Sequence, residues 1–438
     1  MTYIQVDARG CGVGKTRNTI IPRIRNNIRN RIRTLVVVPS KNLQKEYATH
    51  FDTDEITVIN REDEREKILA QYQIADTPVV CLTHQGFLQT PYYLFEKDNW
   101  DLIIDEAFDP YASLTFETAD SAGRVWINYS EIVSWKNPLT PDFRPETTVQ
   151  PFFELEFTQS SVPDLIDRQT WRKLTNPNYR KWATWQTGDN LQNNRVETAT
   201  IQLELDPVIF EGWSSIWIAA AVFDKTFMGY WMTHNRREYE IVYQFEIHQS
   251  PAVWHIPEEE FSWSKNYRNQ NPEIEKTFRE YINQTRSGRL IYNSNNDSTT
   301  VLTFGTRINH NAHGVNAYSH LTDYAFISAI KPHPCFLNFL KIHLELKKTQ
   351  FEFAFAGYTA YQLMMRSALR DPNNKTPVNI YFLDTAQALS IMELFDPFSY
   401  KTVLIKEIQG NVRRPLTPAE RNKKWREKQK QLKATQKG

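Results

Sequence analysis

Apolar and polar positions follow two alternating periods through the first hundred residues. Apolar runs of strand length, Tyr3–Val6, Leu35–Val38, Pro78–Leu82 and Leu102–Ile104, are separated by stretches with helical spacing. Ile20, Ile24, Ile28 and Ile32 recur at i+4 and form one stripe of a helix, while Arg17, Arg23, Arg25, Arg29, Arg31 and Arg33 occupy its outer side. Those arginines read either as a solvated face or as a nucleic-acid contact. Pro22 predicts a kink or a tightened first turn. Pro39-Ser40 closes the second strand, with Ser40 as N-cap of a helix from Lys41. Strand and helix in alternation over residues 1–110 predict a parallel sheet covered by helices.

The texture changes over residues 111–215. Alternation stops, and aromatics interleave with cations at Arg168, Trp171, Arg172, Lys173, Tyr179, Arg180, Lys181, Trp182 and Trp185. Such a mixture suits a single-strand binding surface, with rings such as Trp182 stacking on bases and cations such as Arg172 on phosphates. It equally suits the packed core of an inserted subdomain. The strand Ile216–Ala221 resumes the earlier pattern, residues 216–250 read as the end of the first lobe and a linker, with 222–250 joining the lobes, and a second lobe is predicted over residues 251–405. Its strands are Val301–Phe304, Tyr324–Ser328 and Val378–Phe382. A helix between the last two places Gln362, Arg366 and Arg370 on one flank at i, i+4 and i+8. The tail over 406–438 predicts a helix from Thr417-Pro418-Ala419-Glu420, too polar to bury a face.

Composition adds an asymmetry. The net charge is only +1, yet residues 411–438 hold ten Lys/Arg against two Glu, which leaves about −7 on the remainder. A tail of +8 predicts either salt-sensitive binding to nucleic acid or a disordered solubilising segment. Three cysteines, far apart and without metal-ligand spacing, argue against a disulfide framework or zinc cluster and predict a reducing, cytoplasmic setting. The charged, glycine-rich start has no apolar leader, and no apolar run approaches the roughly 18 residues of a membrane span. No membrane partner is expected.

The candidate chemistry sits at two strand ends. Gly12-Val13-Gly14-Lys15-Thr16 lies between the first strand and the arginine-rich helix. Glycines there turn backbone N–H groups onto phosphates, and the helix start adds its dipole. Lys15 would reach the β- and γ-phosphates, and Thr16 would place its hydroxyl on Mg²⁺. Arg9 stands where the usual pattern has its first glycine, with Gly10 one place later. At the end of the third strand, Asp105 would hold the same Mg²⁺ and Glu106 would orient and deprotonate the attacking water. Loop and acidic pair together predict hydrolysis of ATP or GTP.

Asp105-Glu106-Ala107-Phe108 resembles the DEAD/DEAH box of superfamily 2 helicases, with Phe108 in place of the usual fourth residue. The phosphate loop resembles their first motif, and Val38-Pro39-Ser40 and Thr83-His84-Gln85 their backbone-gripping motifs. The resemblance implies two RecA-like lobes with parallel sheets closing on ATP and Mg²⁺, with nucleic acid across both, held at Pro39, Ser40, Thr83 and His84. His313-Gly314-Val315-Asn316 is similar to motif V, in which Gly314 would approach ATP and Asn316 the nucleic-acid backbone. Gln362 and Arg366 resemble motif VI, making Arg366 the arginine finger supported by Arg370. Gln409 and Arg413 repeat that spacing as a rival. The Ala219-Ala220-Ala221 segment lacks the hydroxyls of the Ser-Ala-Thr motif. The implied activity is an ATP-driven helicase or translocase on single-stranded DNA or RNA. DNA is favoured because no glutamine motif precedes the phosphate loop. A nucleotide-dependent switch acting on a protein partner is the other reading.

Overall fold

The computed structural model describes residues 2–59, 77–95, 97–117, 133–138, 153–157, 173–189, 195–246, 250–295, 301–310, 317–406 and 408. Gly314, Asn316, Arg172, Gln409, Arg413 and the tail helix expected from Thr417 lie outside the described residues.

The first sheet is built from β1 (Ile4–Asp7), β2 (Arg33–Val38), β3 (Ile56–Val58), β4 (Val79–Thr83) and β5 (Trp100–Asp105). The chain then leaves for an antiparallel sheet of β6 (Tyr111–Glu117), β7 (Val133–Pro138), β8 (Phe153–Phe157), β9 (Tyr179–Asp189) and β10 (Arg195–Leu205). It returns through β11 (Ser215–Ala219) and β12 (Glu240–Tyr243). The first sheet is parallel throughout, in the order β12-β1-β11-β5-β2-β4-β3. Its central strands are buried on both sides, as Leu35 to Val38 and Leu102 to Ile104 require. β11 separates β1 from β5, so the phosphate loop and the acidic pair leave the same carboxyl edge one strand apart.

The second sheet contains β13 (Ala252–Pro257), β14 (Leu290–Asn293), β15 (Gly305–Arg307), β16 (Asp323–Phe326), β17 (Val378–Phe382) and β18 (Tyr400–Ile405). Its order is β15-β14-β16-β17-β13-β18, again all parallel. The chain thus has two parallel-sheet α/β units, and the antiparallel sheet is inserted into the first. Among the described residues, no helix is long and apolar enough to cross a membrane.

Several sequence expectations are corrected. The helix after the phosphate loop begins with a widened π-helical turn over Thr16–Ile20, and only then becomes α-helical over Ile21–Arg29. Pro22 explains the widening, because its ring has no N–H and would strike the carbonyl four residues back. Ile20, Ile21 and Ile24 carry the buried stripe, and Ile32 is exposed beyond the helix end. Arg23 is neither solvated nor free for a ligand: it pairs with buried Asp101 at 2.8 Å. Val301–Phe304 is not a strand; the pairing starts at Gly305, and β14 lies before it. The "linker" over 222–250 contains a helix, Phe227–His234, and the edge strand β12.

Gln362, Arg366 and Arg370 do not share one helix. The helix Tyr358–Met364 stops at Met365, Arg366 lies in the turn, and Arg370 ends a 3₁₀ turn over Ala368–Arg370. Ser367 causes the break: its hydroxyl donates to the Met364 carbonyl (2.6 Å) and accepts from the Leu369 N–H. Trp182 is a packing residue, so its expected role as a base-stacking platform is withdrawn. It is 9% exposed, lies against Phe339 and His343, and donates from Nε1 to Glu204. No face of the ring remains for a base.

Candidate functional site

The phosphate loop is shaped by positive-φ glycines. Gly12 and Gly14 have φ of 86° and 78°, a region where a Cβ is costly. A Cβ on Gly14 would also come within 2.6 Å of Asn18 Nδ2, and one on Gly12 would press on Arg370. Arg9, in the place of the first glycine, fixes the loop at its root. Its guanidinium bonds Asp7 at 2.6 Å and Thr19 at 2.7 Å, and lies over the Tyr243 ring. Nothing in the phosphate-loop pattern points to that role; the Asp7-x-Arg9 spacing was the available signal. Val13 forms the loop tip, and Lys15 is buried, with its ammonium over the carbonyls of Arg9 (2.8 Å) and Gly10.

Beneath the loop, Asp105 is 4% exposed and accepts from Thr16 Oγ1 at 3.1 Å and Tyr47 Oη at 2.7 Å. Burial, then the neighbouring Glu106, pushes its carboxyl up to about 6. A carboxylate and a threonine hydroxyl this close are a hard oxygen pair of the kind Mg²⁺ takes. Tyr47, from the helix Lys41–Ala48, was not found from the sequence, since a tyrosine on an apolar stripe reads as core. Glu106 adopts φ of 75°, left-handed for a non-glycine residue, with its N–H on the Ala219 carbonyl. That turn directs its carboxylate away from the first sheet.

The second lobe meets Glu106 there. Gln362 Nε2 donates to Glu106 Oε2 at 2.9 Å, and the Tyr358 hydroxyl donates to the same oxygen at 3.1 Å. Gln362 in turn accepts from the Cys11 thiol at 3.0 Å, and Tyr361 accepts from the Cys11 N–H. Burial, followed by the charge of Glu106, pushes the Cys11 thiol up to about 11, so it stays a donor. Arg366 and Arg370 face the same space, and Arg366 Nε is buried with no hydrogen-bond partner among the described residues. Burial, then Arg366, lowers the Arg370 pKa from its ordinary value. Lys15, Thr16, Asp105 and Glu106 from one lobe, with Gln362, Arg366 and Arg370 from the other, line one cleft of about 600 Å³. The glycine cradle, the oxygen pair and the orphaned arginine donor fit a magnesium-bound polyphosphate.

The other candidates lie at the ends of neighbouring strands. Pro39 and Ser40 follow β2, Thr83 ends β4, and His84 follows it. Both hydroxyls cap helices: Ser40 Oγ accepts from Leu43 N–H and Thr83 Oγ1 from Gly86 N–H. His84 packs edge-on against Phe108 and sits 3.1 Å from the Asp105 carbonyl through Nε2. Phe108 belongs to the core, stacked on Phe210.

Residues 2–115 match the family model of the flavivirus DEAD domain. No curated protein matches the chain. Among solved structures, XPD_APO aligns at 11% identity with a TM-score of 0.50, over 92% of this chain and 97% of that one. XPD_Helicase aligns at 12% identity and a TM-score of 0.48, covering 92% and 96%. Xpd4 of S. tokodaii aligns at 10% identity and 0.48, with the same coverage. Identities this low speak to fold alone, and the first alignment carries it over nearly the whole of both chains.

Proposed function

From the superfamily 2, DEAD/DEAH-like helicase fold that this chain has, we propose that it is an ATP hydrolase that moves along or separates nucleic-acid strands, with DNA the preferred track. The observation that supports this most is the composition of the interlobe cleft, where a phosphate loop and acidic pair face two arginines and a glutamine of the other lobe. In this reading residues 1–110 and 216–250 make the first lobe, 111–215 the insertion, 251–405 the second lobe and 406–438 a basic tail.

The proposed division of labour follows from the groups present. The loop N–H groups of Gly12, Val13 and Gly14 and the Lys15 ammonium bind the phosphates. Thr16 and Asp105 would hold Mg²⁺, which would supply charge neutralisation to the phosphates. Glu106 takes a proton from the attacking water while Gln362 fixes its orientation. Arg366 neutralises charge that develops on the γ-phosphoryl oxygens, with Arg370 beside it. Gly314 and Asn316, by the motif they resemble, would contact ATP and strand. Pro39, Ser40, Thr83, His84 and Arg172 are proposed strand contacts. With both cap hydroxyls engaged, Ser40 and Thr83 would act through their backbone.

The test is the ATPase rate with and without single-stranded DNA, single-stranded RNA and duplex. Strong stimulation by single strands is expected. A rate indifferent to polynucleotide would favour the nucleotide-dependent switch instead. Lys15→Ala should lose ATP binding or turnover, and Glu106→Gln should bind ATP yet hydrolyse it slowly. Arg366→Ala should keep nucleotide affinity and lose turnover by roughly 10³-fold, as expected for an arginine finger. A normal rate in that variant, with loss in Arg413→Ala, would transfer the role.

A further inference from the structure

The inserted sheet meets both lobes at a half-buried cluster that the nucleotide cleft does not use. Glu204 of β10 is fully buried. His234 ends the helix Phe227–His234 of the first lobe, and His343 lies in the last turn of the helix Pro334–Leu344 of the second. One ligand-capable atom from each of the three lies within 4.8 Å of the other two. The imidazole centroids are 4.3 Å apart. His343 is 8% exposed and held in place, stacked on Phe339 at 5.0 Å. Its Nε2 is 2.9 Å from Glu204 Oε1.

The surroundings prepare these groups as ligands. Glu204 is fixed by its neighbours, with Asn235 Nδ2 donating to Oε1 at 3.3 Å. Arg180 Nη2 sits 2.8 Å from Oε1, and Trp182 Nε1 donates to Oε2 at 3.2 Å. Outer contacts of this sort fix a ligating carboxylate, although the Arg180 charge opposes an incoming cation. Neutral imidazoles are therefore needed. His234 is exposed, which gives an ion a route from solvent.

We propose that Glu204, His234 and His343 form a transition-metal site that ties the inserted sheet, the first lobe and the second lobe together. Two imidazole nitrogens and one carboxylate oxygen select Zn²⁺, Co²⁺ or Ni²⁺ over Mg²⁺. The site is chemically distinct from the oxygen pair of Thr16 and Asp105. It does not depend on the ATPase reading.

Untagged chain stripped with a chelator and titrated with Co²⁺ tests the site through the visible absorption of the ion. One Co²⁺ per chain is expected, displaced by Zn²⁺, with a higher melting temperature in the loaded protein. His234→Ala should weaken Co²⁺ binding by at least the roughly 10–100-fold that even an outer-shell loss costs. Because His234 is exposed, that variant should fold even where His343→Ala does not. Asp105→Asn should bind Co²⁺ like the wild type. Absence of Co²⁺ binding, or equal binding by His234→Ala, would overturn the site and leave a buried ion-pair cluster only.

Discussion

Glu106 is governed by two donors that come from a different lobe and share one of its oxygens. Gln362 is expected there from the motif it resembles; Tyr358 is not, and its position four residues earlier on the helix puts both side chains on one face. Burial, and then the charge of Glu106, pushes the Tyr358 phenol well above its ordinary pKa, so the hydroxyl keeps its proton and donates it to the carboxylate. A hydrogen bond to an ionised group contributes about 1.5–3 kcal/mol, more than a neutral one. Here the bond restrains the direction of the carboxylate in addition to stabilising the fold. Tyr358→Phe should therefore lower kcat by about tenfold, equivalent to 1.4 kcal/mol of barrier, while KM for ATP stays near wild type. Steady-state kinetics checks this, with thermal unfolding as control. If kcat were unchanged, the phenol would be a packing residue whose hydroxyl merely finds a nearby acceptor.

At the scale of elements, what could be read from the chain depended on how tightly chemistry constrains residue types. Gly12, Gly14, Lys15 and Thr16 are constrained by backbone geometry and charge together, and Asp105-Glu106 by the strand that ends there, so these stand out without any fold. Short strands in the second lobe carry no such constraint. β14 is the four-residue run Leu290–Asn293, and its neighbour β15 opens on Gly305, which carries no side chain to mark a strand. The helix break at Arg366 was hidden because Ser367 is compatible with a helix until its hydroxyl turns back on Met364. Aromatic density in the insertion was ambiguous for a physical reason: rings that stack on bases and rings that pack against helices are the same residues. Trp182 resolves toward packing. Trp182→Ala should destabilise the protein by about 3–5 kcal/mol, seen as a lower melting temperature. Single-stranded DNA affinity, measured at a temperature where the variant is folded, should be unaltered. A selective loss of DNA binding with wild-type stability would reverse that assignment.

Across the whole molecule, the contacts between the two lobes differ in character. Between β16 and β17 the second lobe sends out the helix Pro334–Leu344, whose Phe336, Phe339 and Leu340 are buried in the core of the first lobe and the inserted sheet. Apolar burial of three large side chains contributes several kcal/mol at roughly 1.5–3 kcal/mol each. The cleft adds polar contacts among Cys11, Gln362, Tyr358 and Glu106, beside the ring contact of Phe245 with Tyr361. Net gains from such bonds are small, and the facing charges of Arg366, Arg370 and Lys15 repel one another until an anion lies between them. Motion driven by nucleotide should then concentrate at the cleft and leave the apolar contact closed. Amide hydrogen exchange distinguishes the two regions. Segments 9–16 and 358–370 should gain protection when a non-hydrolysable ATP analogue and Mg²⁺ are added. Segments 200–205 and 334–344 should be strongly protected beforehand and change little. Equal changes in all four segments would mean that the lobes separate as whole bodies, and that the apolar contact opens in each cycle.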